Sequence, residues 1–240
     1  MDWLVQLPRS NQRLELESIV RTLHRSPEPQ VLADNKVSWL AEFLADPNSN
    51  YRKTKYRHPN VKSQLMDDSG HKCAYCESKI GHNTPGDVEH LVPTSANNNL
   101  HFEWTNMGVA CTECNRRKND YNDLTNPFLN PYSENVEEQV EHHGPLVLWK
   151  TGNVRAEISI KKLQLNGSER IDLIKDKIQK LKEIDEAVQR YSETANPALK
   201  AIMGSELLKL TEANSEYSGM ILSFLTTRLP ELFANGNNAA

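Results

Sequence analysis

Apolar residues recur near the start of the chain at the spacing i, i+3, i+4, i+7, which is typical of an amphipathic helix. This spacing predicts two helices, over 10–24 and 35–45, separated by Pro27 and Pro29. The residues that carry it are Leu16, Ile19, Val20 and Leu23 in the first helix and Val37, Leu40, Ala41 and Leu44 in the second. The N-terminal part of the protein is therefore expected to be helical.

A longer apolar stripe predicts a further helix in the last third of the chain. Asn166 and Glu169 match a capping box at its start. The stripe consists of Ile171, Ile174, Ile178, Leu181, Ile184, Val188 and Tyr191. Asn196 followed by Pro197 predicts the start of another helix, because asparagine caps helices and proline is tolerated in the first turn.

Two intervening regions lack this helical period. The apolar run 146–149, the turn-forming residues 150–153 and the alternation over 154–160 predict a β-hairpin. Between about 70 and 123, glycine, asparagine, proline and cysteine dominate, which is typical of a small metal-stabilised module. We therefore expect an α+β, predominantly helical protein in three parts. These are an N-terminal helical segment (1–64), a central module (65–125) and a hairpin and helical C-terminal region (126–240).

Composition limits the classes of function. The chain has 240 residues and a formal net charge of −4, so nucleic acid would have to be bound by a local basic patch. Residues 51–62 form such a patch, with five cations and no acid: Arg52, Lys53, Lys55, Arg57 and Lys62. No apolar run approaches the roughly 18 residues of a membrane-spanning helix, and no signal-peptide pattern opens the chain. We expect a cytoplasmic protein without a membrane partner.

All four cysteines fall into two CxxC pairs, Cys73/Cys76 and Cys111/Cys114. Two residues between the thiolates let one tight turn direct both sulfurs at a single ion, and two such pairs complete the tetrahedron of a structural zinc site. Redox pairs or disulfides would need a thioredoxin-like context or an oxidising compartment, and the sequence offers neither. The sequence predicts one structural Zn²⁺.

The residues between and after these pairs form a recognisable order. An acid–His–x–x–Pro segment and a Trp–x–Asn segment lie between the pairs, and Asn–x–x–Lys follows the second one. The residues concerned are Glu89, His90, Pro93, Trp104, Asn106, Asn115 and Lys118. This order resembles the HNH endonuclease superfamily, whose active site is a ββα-metal fold braced in many members by a zinc ion. The resemblance covers about 50 residues.

Sequence elements outside this order indicate a particular subfamily. The elements Lys55-Tyr56, residues 72–77 and residues 88–90 together resemble the PtuB-like HNH nucleases of Septu and retron-associated antiphage defence systems. That resemblance implies a partner, an SMC- or ABC-like ATPase subunit (PtuA-like), and in the retron setting a complex of reverse transcriptase and ncDNA. It also implies a role in antiviral defence.

The HNH resemblance implies roles for individual residues. His90 would be the general base, Asn106 would hold the loop that orients it, and Asn115 would bind a divalent ion, Mg²⁺ or Mn²⁺. Glu89, the acid before the base, would be the other ligand. Strand alternation places Glu89 and His90 on opposite faces and Asp87 on the same face as Glu89, which makes Asp87 a reserve ligand.

Several cations are candidates for contact with phosphate. Lys118 and Arg117 follow the second cysteine pair, and the basic patch contributes Arg52, Lys53, Lys55 and Arg57. Tyr51 and Tyr56, which interleave with the basic patch, are candidates for stacking on bases. The remaining histidines in or beside the module, His71, His82 and His101, are interpreted as loop residues without a role.

We expect a metal-dependent endonuclease that hydrolyses phosphodiester bonds in DNA or RNA, as the effector subunit of a defence complex. One alternative is a non-catalytic zinc module that binds nucleic acid or protein. Another is a free-standing restriction-type HNH nuclease. The joint presence of Glu89-His90, Asn106 and Asn115 favours catalysis, because a binding module has no need of these residues together.

Overall fold

A computed structural model describes residues 22–81 and 85–234. The helices are α1 (Gln30–Ala45), α2 (Asn50–Lys53), α3 (Pro59–Asp68), α4 (Thr112–Lys118), α5 (Val154–Leu163), α6 (Ile171–Glu193), α7 (Pro197–Lys209), α8 (Ser218–Arg228) and α9 (Glu231–Ala234). The strands are β1 (Asp87–His90), β2 (Met107–Ala110), β3 (Val140–His143) and β4 (Leu146–Trp149). The fold is therefore α+β and mainly helical, as the sequence predicts.

The two predicted N-terminal helices have different outcomes. The helix predicted over 10–24 lies outside the described residues apart from 22–24, which are not helical. The second helix is present as α1, but its predicted apolar face is wrong, because Val37 is 78% exposed while Leu32 and Phe43 are buried. Trp39 and Phe43 pack against Phe102, so an aromatic contact orients α1.

A small ββα unit lies at the centre of the fold. β1 and β2 form an antiparallel pair in which Asp87 faces Ala110 and His90 faces Met107. Helix α4 packs against both strands, and α3 packs against β2. A side chain at Gly108 would place a Cβ 2.9 Å from the ring of Tyr132, so only glycine lets this ring pack on β2. The predicted central ββα arrangement is confirmed.

The predicted β-hairpin is wrong in its partner. β4 pairs with the preceding strand β3, not with a following strand, and Val154–Leu163 is helix α5. Asn153 decides this, because its side chain accepts a hydrogen bond of 2.9 Å from the backbone N–H of Ala156 and caps the helix. The buried residues Ala156, Ile160 and Leu163 then follow helical spacing.

The predicted capping box at Asn166 is also wrong. The Asn166 amide instead binds the backbone of Val147, accepting from its N–H and donating to its carbonyl. Helix α6 begins at Ile171, after a 3₁₀ turn over Ser168–Arg170. The cap of α7 is confirmed, because the Asn196 side chain accepts a 3.1 Å hydrogen bond from the N–H of Leu199.

The buried apolar side chains form one cluster that runs from α1 through the ββα unit to α8. Members of this cluster come from all three parts into which the sequence divides the chain. Polar contacts reinforce the connection, because buried Lys72 binds Ser218 at 3.1 Å, across the fold from the ββα unit to α8. Among the described residues, no helix is both long and apolar enough to cross a membrane.

Candidate active site and metal centre

The four cysteines converge on one point in the fold. Cys73 and Cys76 lie in a turn before β1, and Cys111 caps α4 so that Cys114 lies one turn into it. Their sulfur atoms all lie within 4.8 Å of one another. The Cys76 and Cys111 sulfurs are 3.8 Å apart, which is about the edge of a tetrahedron with zinc–sulfur bonds of about 2.3 Å. The donor set therefore fits a structural zinc ion.

Arg170 supplies positive charge to this centre. Its guanidinium is buried and donates a 3.2 Å hydrogen bond to the sulfur of Cys114. Hydrogen bonding with the other cysteines, chiefly Cys111, lowers the pKa of the Cys76 thiol, and the Arg170 charge lowers it further. Burial disfavours the charged form of Arg170, but Cys114 and Cys76 outweigh it and raise its pKa. This arrangement favours the thiolate form of Cys76, whereas burial chiefly raises the pKa of Cys73 and hydrogen bonding with the other cysteines raises that of Cys114.

His90 ends β1 and packs in an aromatic cluster. Its ring lies 4.5 Å from the ring of Tyr56, edge to face, and 4.8 Å from the ring of His101, stacked. Its Nε2 lies 2.9 Å from the backbone carbonyl oxygen of His101. A carbonyl oxygen only accepts, so Nε2 carries the proton and the lone pair is on Nδ1. Burial lowers the pKa of His90 to about 4, which keeps the ring neutral at pH 7.

His101 is a site residue that the sequence did not reveal. It is buried, its Nδ1 bonds the Thr94 hydroxyl at 2.8 Å, and its Nε2 bonds the Lys53 carbonyl at 2.8 Å. It thereby connects the loop after β1 to the basic patch and supports the ring of His90. The sequence offered no spacing signal for this role, since its partners come from separate segments. His71 is exposed beside Asp67, and His82 lies outside the described residues.

Asn106 braces the loop between β1 and β2. Its side-chain oxygen accepts a 2.8 Å hydrogen bond from the N–H of Val92, and its amide donates to the carbonyls of Val92 and Leu100. The side chain is buried, so these bonds replace water. Asn106 thus closes the loop that begins directly after His90.

Carboxylate and amide side chains that could hold a cation lie between β1 and α4. Asp87 and Glu89 both face α4, and the Asn115 amide lies 3.3 Å from the Asp87 carboxylate. Glu89 is buried and forms a 2.6 Å ion pair with Lys118, and the Tyr75 hydroxyl donates to the same carboxylate oxygen. Burial raises the pKa of Glu89, and Lys118 opposes this shift. The two carboxylates and the amide are a donor set that suits a hard cation such as Mg²⁺.

Two cations expected to contact phosphate are engaged within the protein. The Lys118 side chain is 1% exposed, and besides Glu89 it binds the carbonyl oxygen of His90 at 2.8 Å. Arg117 forms ion pairs with Glu113 and Glu169 at 2.5 and 3.0 Å. Lys118 thus joins α4 to β1, and Arg117 joins α4 to the turn Ser168–Arg170, so a phosphate contact would have to displace these partners.

The basic patch lies beside the His90 cluster. Lys53 and Arg57 are exposed, Arg52 lies 3.6 Å from Asp46, and Lys55 forms a 2.5 Å ion pair with Glu42. The 3₁₀ turn that contains Lys55, Tyr56 and Arg57 packs against the site, because Tyr56 contacts His90 and His101. The fold thus brings this patch, predicted only as a sequence cluster, next to the candidate base.

Comparisons with known proteins agree with this geometry. Residues 73–121 match the family model described as HNH endonuclease, and they include all four cysteines, His90, Asn106 and Asn115. The Septu protein PtuB of Bacillus thuringiensis is 27% identical over 214 residues, which covers 85% of this chain and 80% of that protein. A Septu protein PtuB of Bacillus mycoides (strain KBAB4) is 27% identical over 186 residues, covering 61% of this chain and 63% of that protein.

The matched segment and the site occupy the same part of the fold, since 73–121 runs from the first cysteine of the metal centre past the end of α4. The similarity to the PtuB proteins extends well beyond this segment. Residues 73–121 therefore form a domain of the HNH endonuclease family, within a chain that is similar over most of its length to Septu protein PtuB.

Proposed function

We propose that this protein is a metal-dependent endonuclease that hydrolyses phosphodiester bonds in nucleic acid. The observation that carries the proposal is the position of His90. Its ring is neutral, its tautomer is set by the His101 carbonyl, and it lies at the end of the strand that also carries Asp87 and Glu89. Phosphodiester hydrolysis requires a base and oxygen ligands for a cation, and this one short strand carries both.

His90 acts as the general base in this proposal. Its Nδ1 accepts a proton from a water molecule as the water oxygen forms a bond to phosphorus, while the bond from phosphorus to the 3′-oxygen breaks. The hydrogen bond from Nε2 to the His101 carbonyl keeps the lone pair on Nδ1 and stabilises the imidazolium that results. The contacts of Asn106 hold the following loop, so the ring does not have to be reoriented for each reaction.

Glu89, Asn115 and Asp87 would hold the catalytic divalent ion, Mg²⁺ or Mn²⁺. When bound, the ion supplies positive charge that stabilises the phosphate and the departing 3′-oxygen. In the structure, the Lys118 ammonium neutralises the Glu89 carboxylate. Positive charge therefore already lies at one of the oxygens that would bind the ion. Asp87 already contacts Asn115, which supports its inclusion in the ligand set.

The proposed setting is an antiphage defence complex. Both curated relatives are named Septu protein PtuB, and the first covers 85% of this chain, including regions outside the HNH domain. We propose an SMC- or ABC-like ATPase (PtuA-like) as the partner, with a retron reverse transcriptase and its ncDNA as the alternative assembly. Partner and defence role rest on this similarity, whereas the proposed chemistry rests on the site.

The test compares plasmid and total-RNA cleavage by wild type and His90→Ala with Mg²⁺ or Mn²⁺. Each protein is assayed alone and after co-expression with the proposed ATPase partner. We expect metal-dependent cleavage that falls by at least about 10²-fold in His90→Ala, because a positioned general base contributes about 10²–10⁴-fold. His143→Ala is the matched control, because that side chain is 59% exposed and lies outside the site.

The substrate that wild type cleaves decides between DNA and RNA. Equal behaviour of wild type and His90→Ala in every combination, with zinc retained in both, would contradict the nuclease proposal and favour a binding module. Activity that requires the ATPase would support the proposed complex. Full activity of the chain alone, with no stable association, would instead favour a free-standing nuclease.

A further inference from the structure

A pocket opens on the surface beside the HNH domain. It lies between α1, α2 and the 3₁₀ turn Lys55–Arg57, and its volume is about 350 Å³. This is within the range of roughly 300–1,000 Å³ that is usual for small-molecule sites. The residues that line it are Trp39, Tyr51, Thr54, Lys55, Arg57 and His58. The proposed base and metal ligands lie outside this pocket, whereas Tyr51, Lys55 and Arg57 are candidates for contact with nucleic acid from the sequence.

The pocket combines aromatic faces with a cation. The Lys55 ammonium lies 5.8 Å from the ring centre of Trp39 and 5.1 Å from that of Tyr51. The His58 ring lies 6.4 Å from that of Trp39, at an interplanar angle of 32°. Tyr51 is 75% exposed, an unusual position for a large aromatic side chain that packs against little else. Such a combination of aromatic platforms and positive charge is typical of sites that bind single-stranded nucleic acid.

Charge alone does not account for the pocket. Lys55 is already paired with Glu42 at 2.5 Å, so part of its charge is balanced within the protein. A site built only for phosphate would be expected to expose its cations without acidic partners and would have no need of three rings. The aromatic faces therefore point to a planar ligand, and the exposed guanidinium of Arg57 at the rim suits the phosphate next to it.

The pocket is connected to the candidate base through Tyr56. Arg57, which lines the pocket, donates a 3.0 Å hydrogen bond from Nε to the hydroxyl of Tyr56. The Tyr56 ring in turn lies 4.5 Å from the His90 ring. One three-residue turn thus carries both the pocket wall and the support of His90. A strand with its scissile phosphate at His90 would pass the pocket with a neighbouring nucleotide.

We propose that this pocket binds an unpaired nucleobase of the strand being cut, adjacent to the scissile phosphate. The face of a paired base is covered by its stacked neighbours, so a base can enter only from a single strand or a locally unpaired site. The preferred substrate is therefore single-stranded or locally unpaired nucleic acid. This inference rests on the proposed nuclease function and specifies its substrate class.

The first experiment measures binding, separately from cleavage. Zinc-loaded full-length His90→Ala protein is titrated into labelled single-stranded DNA, single-stranded RNA and the duplex of the same sequence, with fluorescence anisotropy as the readout. Tyr51→Ala, made in this background, should lower the ratio of single-strand to duplex affinity by about fivefold to a hundredfold, which corresponds to the loss of one stacked base. Tyr51→Phe should restore the ratio, because phenylalanine keeps the stacking face.

A control variant and a second measurement test whether the change in affinity comes from the aromatic residues of the pocket. Ile202→Ala is the control for loss of an exposed apolar side chain, because Ile202 is 57% exposed on α7. Single-stranded oligonucleotide should quench tryptophan fluorescence, and Trp39→Phe should reduce this quenching while zinc content stays at the wild-type level. Trp39 is partly buried against Phe102, so zinc content and a melting curve check that the variant has folded.

The outcomes separate this inference from the proposed function. The proposal that the pocket binds a nucleobase is overturned by an unchanged affinity ratio in Tyr51→Ala. It is also overturned if the zinc-loaded protein fails to bind a single strand. The nuclease proposal survives that result if wild type cleaves duplex in a His90-dependent way. Conversely, Tyr51-dependent single-strand binding without any His90-dependent cleavage supports the pocket and contradicts the nuclease.

Discussion

The charge of Lys118 determines how Glu89 can act. Glu89 is buried, and in water-free surroundings its carboxylate needs a cation at short range. Lys118, at 2.6 Å, provides that cation in the structure, and it also binds the carbonyl oxygen of His90. A divalent ion held by Glu89 would take over this neutralising role, so ion binding and the position of Lys118 are coupled. Asp87 is half-buried beside Asn115, and no buried cation pairs with it in the described part of the chain.

Three substitutions test the oxygen ligands against this coupling. In Asp87→Asn, Glu89→Gln and Asn115→Ala, we expect the Mg²⁺ concentration for half-maximal cleavage to rise about tenfold or more, because each removes a ligand or its charge. Glu89→Gln should also lower the free energy of unfolding by about 3 kcal/mol, since it leaves the Lys118 charge buried and unpaired. Asp87→Asn should change that free energy by less than about 0.5 kcal/mol.

Metal-dependent cleavage assays and urea unfolding provide the two readouts. An unchanged Mg²⁺ requirement in Glu89→Gln would assign the site to Asp87 and Asn115 alone. An unchanged requirement in Asp87→Asn would assign it to Glu89 and Asn115.

The turns that hold the cysteines depend on a neighbouring helix. α4 places Cys114 in its first turns, and Arg170, just before α6, donates to that sulfur at 3.2 Å. Four thiolates around one Zn²⁺ leave a net negative charge, which is costly in a buried site without a nearby cation. The 3₁₀ turn Ser168–Arg170 is therefore part of the metal centre as well as the start of a long helix.

Arg170→Met is expected to weaken zinc retention. Methionine is unbranched like arginine, but the substitution removes the charge that lowers the pKa of Cys76 and the hydrogen bond to the Cys114 sulfur. Partners outside the ligand set typically contribute 10–100-fold to metal affinity, so we expect zinc release at about tenfold lower chelator concentration. A chromogenic chelator titration measures this, and Arg190→Met is the control, because Arg190 is exposed on α6. Identical release from both variants would show that the Arg170 charge is not needed.

How far the sequence predicts these elements depends on the distance between interacting residues. The cysteine spacing is a local pattern and predicted the metal centre, and the order of His90, Asn106 and Asn115 carried the resemblance that implied the ββα unit. The apolar positions over 154–160 fit a strand and also fit helical spacing. The segment is a helix because the Asn153 side chain caps its first turn. Arg170 lies 56 residues from Cys114, and no periodicity connects them.

The three predicted parts of the chain share buried contacts, which bears on whether the HNH domain can fold alone. Lys72, beside the first cysteine pair, is buried against Ser218 of α8. Arg25 donates to the carbonyl of Met107 at 2.7 Å, and Tyr132 covers Gly108. These partners come from both sides of the domain in sequence, so removing them would expose β2 and leave the buried Lys72 ammonium without its hydroxyl partner.

We therefore expect residues 65–125, produced alone, to be much less stable than the same segment within the full chain. A domain of about 60 residues buries only about 60% of the surface that its unfolded chain exposes and is marginal unless other interactions support it. Zinc would supply part of that support, but Arg170, which favours the thiolates, is absent from the excised segment. Circular dichroism melting and chelator titration of the segment and the full chain measure the difference. If the excised segment melts cooperatively near the temperature of the full chain and retains zinc at the same chelator concentration, the contacts of Lys72, Arg25 and Tyr132 do not support the domain, and the HNH unit is autonomous.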